Sequence, residues 1–257
     1  KKEFKNILVP VDFKNPSQKA INYALNFADK FKAEVILLHV LETPGLLSDF
    51  FSSGENLVKI TDKAKEKLYE LSEKHSRSHP NTKIITKIER GKPYQKILEY
   101  TEDHNIRMII LGDNHDNEEK DGLGSTVYHV TLKSSLPVLT LKGNTEKMGE
   151  KIIVPLDLTK ESRKQLFSAL TYGLNYGSKI YLVSALKGSI KMRDSRIYKK
   201  LKKVKGILDE NGVETHTRIF PRSEVPPYKR IIHYAEEIGA GMILLMTHQE
   251  GYTHDNY

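Results

Sequence analysis

The chain of 257 residues carries 41 Lys and Arg against 33 Asp and Glu, a formal charge of +8, with 38% hydrophobic and 29% charged residues. That balance suits a folded chain of one large or two small domains and is too apolar for a disordered one. The absence of cysteine excludes disulfide scaffolds, thiolate zinc sites, iron–sulfur clusters and a cysteine nucleophile, and no apolar run reaches the roughly 18 residues of a membrane helix.

In chain order, Ile7 to Val11 is a short apolar run ended by Asp12, the pattern of a buried parallel strand. Asn15-Pro16-Ser17 opens a helix with Ala20, Ile21, Ala24, Phe27, Ala28 and Phe31 on one face. Val35 to Val40 reads as a second strand. A long polar helix is expected over about 55 to 78, with Leu57, Ile60, Ala64, Leu68 and Leu71 as its apolar stripe. Lys83 to Ile88 is a third strand, Pro93 to His104 a helix, and Met108 to Leu111 a fourth strand. A helix opening at Gly124 and a fifth strand, Val138 to Leu141, complete the series. Strands alternating with helices imply a parallel sheet covered on both faces.

The series then repeats. Lys5-Asn6-Ile7-Leu8-Val9-Pro10-Val11-Asp12 returns as Glu150-Lys151-Ile152-Ile153-Val154-Pro155-Leu156-Asp157, an offset of 145. Tyr94 to Tyr100 returns as Tyr228 to Tyr234, and Met108 to Leu111 as Met242 to Leu245, at an offset of 134. Two aligned offsets predict two copies of one domain, residues 1–145 and 146–257. Most of the net positive charge lies in the second, since residues 1–145 hold 22 cationic and 20 acidic side chains against 19 and 13 in residues 146–257. In this register Tyr257 falls opposite Leu123. The second copy is therefore expected to lack its last helix and strand here, and the gene product to extend about 20 residues further.

The stretch Leu111-Gly112-Asp113-Asn114-His115, followed by Gly122-Leu123-Gly124-Ser125-Thr126, carries the most chemical information. A helix start presents unpaired N–H groups and the positive end of the helix dipole. Gly124 lets backbone approach a bound group, and Ser125 and Thr126 add hydroxyl donors, so the stretch reads either as a phosphate cradle or as a turn with a Ser cap. Asp12 and Asp157 are strand-end acids that act on a ligand or cap their own turns. His115, Asp116, His248 and His254 suit zinc by type, without tight ligand spacing. Ser125 and His129 sit four apart on one helix but lack an acid and a nucleophile elbow. The basic segment Lys187 to Lys205 reads as a helix with a core face and a lysine face, so neither nucleic acid nor a membrane is expected as a partner.

These motifs resemble the universal stress protein family. The resemblance rests on the opening Ile-Leu-Val-Pro-Val-Asp run, Leu38-His39-Val40, Ile110-Leu111-Gly112, Gly124-Ser125 and the strand Leu136-Pro137-Val138-Leu139. It implies two tandem Rossmann-like α/β domains, each a parallel five-stranded sheet with helices on both faces, the second truncated. Some family members bind ATP through Gly, two residues, Gly, nine residues, Gly-Ser/Thr, and others bind none. Carried onto this chain, the resemblance implies a nucleotide site of Pro10, Val11, Asp12, Val40, Gly112, Asn114, Gly124, Ser125 and Thr126. The ligand would be ATP or another adenine nucleotide, with Mg2+ accompanying it, in the first copy only. His115 stands at the second Gly of the pattern, and eight residues rather than nine precede Gly124. In the second copy Met246 and Gln249 replace the two glycines.

The resemblance further implies a cytoplasmic stress-response module, not an enzyme beyond slow incidental ATP turnover. Its two copies would pair as an intramolecular pseudo-dimer, with a further homodimer as an additional level. The alternative is a stress-response scaffold that binds no nucleotide and acts through protein contacts.

Overall fold

The computed structural model describes residues 6–42, 54–113, 123–143, 148–156, 163–185 and 196–246, and the backbone alone at 54–56 and 196–197. The chain divides into two units, Lys1–Gly143 and Asn144–Tyr257. The first runs β1 (Asn6–Pro10), α1 (Asn15–Phe31), β2 (Glu34–Leu41), α2 (Gly54–Ser78), β3 (Ile84–Arg90), α3 (Pro93–Asp103), β4 (Met108–Gly112), α4 (Ser125–Lys133) and β5 (Val138–Leu141). All five strands are parallel, in the order β3-β2-β1-β4-β5. The middle of the sheet is buried on both faces: Ile7 and Leu8 point to opposite sides of β1, and both are 0% exposed. Leu8, Ile36, Leu38, Ile97, Tyr100, Ile109 and Val130 form a core under α3 and α4.

The second unit runs β6 (Lys151–Pro155), α5 (Arg163–Tyr176), β7 (Lys179–Ala185), α6 (Arg196–Glu210), β8 (Thr215–Phe220), α7 (Pro227–Ile238) and β9 (Met242–Ile243). Its parallel strands are ordered β8-β7-β6-β9. The strand registers reproduce both sequence offsets. Ile7 pairs with Val35 and Met108, while Ile152 pairs with Ile180 and Met242. The expected α/β architecture with two parallel sheets is therefore present. Among the described residues the second sheet has four strands, as expected for a second copy whose given sequence stops short of counterparts of α4 and β5.

Local chemistry explains where the elements start and stop. Pro occupies the first turn of α1, α3 and α7, where its fixed φ suits a helix and its missing N–H costs nothing. The helix after each opening strand ends on a left-handed residue at the same repeat position, Lys32 at φ 52° and Gly177 at φ 65°. The apolar stripe of α2 is buried at Ala64, Leu68 and Leu71, but Ile60 is 55% exposed. At 1.5 Å per residue a 25-residue helix runs roughly 37 Å, against about 26 Å for the eight residues of β2. The helix is longer than the strand it packs beside, and among the described residues Ile60, near its start, stays exposed.

A polar cluster ties α1 to the connection between α2 and β3. Asp29 accepts hydrogen bonds from Thr82 Oγ1 and, at 2.6 Å, from His79 Nδ1. These bonds hold the Asp29 carboxyl below its ordinary pKa. One turn back on α2, His75 is 7% exposed, and its Nε2 is buried with no hydrogen-bond partner among the described residues. Burial lowers the His75 pKa, aided by the neighbouring charges of Lys74 and His79. Both shifts are downward, so both groups withdraw stability as pH falls: His75 below the ordinary histidine value of about 6.5, Asp29 below about 4. The melting temperature is expected to drop between pH 7.5 and 5.5. In a His75→Phe variant that part of the profile should flatten in differential scanning calorimetry, while the drop below pH 4.5 remains.

Candidate functional site

In a sheet ordered 3-2-1-4-5 the chain reverses direction between β1 and β4, and the crevice beyond the carboxyl ends of those strands is the natural ligand position. A cavity of about 490 Å3 opens there. Its walls include every site residue selected from the sequence except Asn114, which lies outside the described residues along with His115. Pro10, Val11 and Asp12 come from the end of β1, Val40 from β2 and Gly112 from β4, with Gly124, Ser125 and Thr126 at the start of α4. The size falls within the range of roughly 300–1,000 Å3 usual for small-molecule sites. Apolar Val11, Val40 and Ile97 and the polar start of α4 all contribute to its walls.

Each element presents its residue for a local reason. Asp12 is exposed where the chain leaves the sheet, and its Oδ1 accepts the Lys14 N–H at 3.0 Å, so it caps its own turn. Gly124 is the N-cap of α4 at φ −56°, ψ 146°, and no side chain caps that helix start. Its amide donates to Asp113 Oδ1 at 3.2 Å, and Asp113 is 2% exposed. The tie fixes the entry to α4 relative to β4, and it sets a carboxylate beside the helix start. The metal reading of His115, Asp116, His248 and His254 falls on residues outside the described ones, and the described residues contain no group of metal-binding side chains.

Glycine at position 112, a site residue by resemblance, is required by packing. A Cβ there would lie 2.1 Å from the carbonyl oxygen of Pro16, in the first turn of α1. The side chain is excluded by the approach of α1, whatever occupies the cavity. Sequence reasoning also missed lining residues. Lys14 and Glu42 lie beside the strand ends, Ser17 in the first turn of α1, and His39 and Pro93 at the end of β2 and the start of α3. Ser17 and Pro93 carried only helix-start signals and His39 only a place in the Leu38-His39-Val40 run, whereas Lys14 and Glu42 carried none.

The second unit spends the matching crevice internally. Gln165 of α5, 3% exposed, donates from Nε2 to Pro155 O at 2.9 Å and to Leu244 O at 2.7 Å. One carboxamide thus joins the ends of β6 and β9 at their switch point. The first copy has Ala20 at this repeat position, fully buried and without a polar group to offer. Met246, opposite Gly112 in the repeat, is 39% exposed.

Comparison with known proteins agrees with this architecture. The model of the universal stress protein family matches residues 3–142. The universal stress protein MJ0577 of Methanocaldococcus jannaschii is 30% identical over 156 residues, covering 54% of this chain and 95% of its own. The universal stress protein YxiE of Bacillus subtilis is 24% identical over 147 residues, covering 54% of this chain and 99% of its own. Among solved structures, a universal stress protein from Archaeoglobus fulgidus matches with a TM-score of 0.77 at 23% identity, over 94% of this chain and 86% of that one. At that identity the likeness is one of fold.

The Pro16 contact yields a test. Gly112→Ala should lower stability by about 1–3 kcal/mol in urea denaturation, because backbone must move.

Proposed function

The chain belongs to the universal stress protein family, and from that premise we propose that its first copy is a stress-response module that binds ATP or another adenine nucleotide. The observation that carries the reading is the cavity at the β1–β4 switch point, which gathers Asp12, Val40, Gly124, Ser125 and Thr126 in one wall system. The first-turn N–H groups of α4 have no intrahelical acceptor, and no side chain caps them among the described residues, so they suit an anion. An exposed anion there gains about 0.3–1 kcal/mol from the helix dipole. Ser125 and Thr126 add hydroxyl donors on the phosphate side, while Val11 and Val40 offer an apolar surface to the adenine. Mg2+ would accompany the phosphates and neutralise their charge. The role is binding, with no catalytic turnover assigned.

One observation favours the alternative, a scaffold acting through protein contacts. Asp113 holds the Gly124 amide, so a phosphate must share the helix start with a carboxylate. The two readings separate on bound nucleotide. Acid extraction of the purified chain followed by nucleotide chromatography should release an adenine nucleotide, and ATP should bind in calorimetry. The backbone angles of Gly124 suit residues other than glycine and Gly124 lines the cavity, so Gly124→Val should fold and weaken ATP binding more than tenfold. An empty extract, with no heat on ATP addition, would leave the scaffold as the function.

The repeat supports a further element of the proposal, that the two copies pair within one chain. Members of this family are commonly homodimers, and covalent linkage raises the effective concentration of the second copy. Sedimentation as a single chain agrees with internal pairing alone, and a two-chain species with an additional homodimer. The same reading assigns the module to the cytoplasm, a location that a cysteine-free sequence suits.

A further inference from the structure

After Val11 the chain leaves the sheet, and the Val11 carbonyl needs a donor from elsewhere. The Val11 amide still donates to Leu38 O at 2.8 Å. The carbonyl is met by His39 Nδ1 at 2.7 Å, 28 residues away on β2. A carbonyl oxygen only accepts, so Nδ1 carries the proton in this contact. The His39 ring also lies 4.5 Å from the ring of Phe13, centroid to centroid, tilted by 45°. Lys67 of α2 stands over the other element of this stack, 5.5 Å from the Phe13 centroid. Phe13 has φ 63°, a left-handed conformation that a bulky residue adopts only when its surroundings hold it there.

The residues on either side of this arrangement matter for the cavity. Val11, Asp12 and Lys14 line it, whereas Phe13 between them is not among its walls. A turn whose central ring is drawn back onto His39 exposes its neighbours to the cavity. The second unit repeats the contact with different chemistry. The Leu156 amide donates to Val183 O at 2.8 Å, and Ser184 Oγ, at the repeat position of His39, donates to Leu156 O at 3.1 Å. Two unlike side chains supplying one hydrogen bond at one register position indicate that the bond itself is the requirement.

We propose that His39 and Phe13 form a clamp that holds the turn after β1 and so presents Val11 and Asp12 to the cavity, making His39 a positioning residue for the ligand's adenosine end. The assignment of that end rests on the nucleotide reading given above; the clamp itself does not. Two measurements keep them apart. Amide hydrogen exchange on the full chain without ligand reads the turn directly, at the Lys14 N–H bonded to Asp12. His39→Ala and Phe13→Ala should each speed exchange there about tenfold or more, leaving β3 and α3 unchanged. His39→Ser, which keeps the hydrogen bond as Ser184 does in the second unit but not the ring contact with Phe13, should exchange at least about threefold more slowly than His39→Ala. Titration with a fluorescent N-methylanthraniloyl-ATP should follow the same order, with affinity reduced in His39→Ala and partly recovered in His39→Ser. Unchanged Lys14 exchange in His39→Ala, or a His39→Ser variant as loose as His39→Ala, overturns the clamp. Failure of wild type to bind the probe overturns the nucleotide reading, while the exchange rates still decide the clamp.

Discussion

The approach of α1 to the end of β4 is the constraint on which the first unit's site depends. The carbonyl of Pro16 sits where a side chain at position 112 would have to go. This contact closes one side of the crevice between β1 and β4 and brings the turn holding Asp12 to the cavity mouth. With that side fixed, the Asp113–Gly124 hydrogen bond sets the opposite rim, because it ties the start of α4 to the end of β4. The cavity is then the space left between the start of α1, packed on β4, and the start of α4, tied to β4 by Asp113.

Most of the fold was legible because its elements are local. Short aliphatic runs ended by Pro or Asp mark β1 and β6, and the two offsets tie each run to its counterpart. Registers such as Ile7–Val35 and Ile152–Ile180 follow once the repeat is seen. Position in the α/β plan also brought most selected site residues to one cavity, since strand ends and the following helix start must converge at the switch point. Ile60 shows the limit of periodicity: its spacing fits the α2 stripe, but the stripe does not say how far the sheet extends beneath it.

What the sequence hid are contacts between side chains and distant backbone. His39 with Val11, Gln165 with Leu244 and Asp113 with Gly124 join residues 28, 79 and 11 positions apart. No spacing rule marks such pairs, because each depends on how two strands or a strand and a helix come to lie together. The polar cluster at Asp29, His75 and His79 escaped for the same reason. His75 follows helical spacing on α2, yet its burial comes from packing that the period alone does not show.

Gln165 acts as a bolt across the seam where β6 and β9 part. One carboxamide, held at two carbonyls, ties the ends of both strands to the helix that covers them. The first copy has only the methyl group of Ala20 at that place. The two sheets share a plan but differ in this brace, so a load or a guest that acts at the seam meets unequal resistance in the two copies.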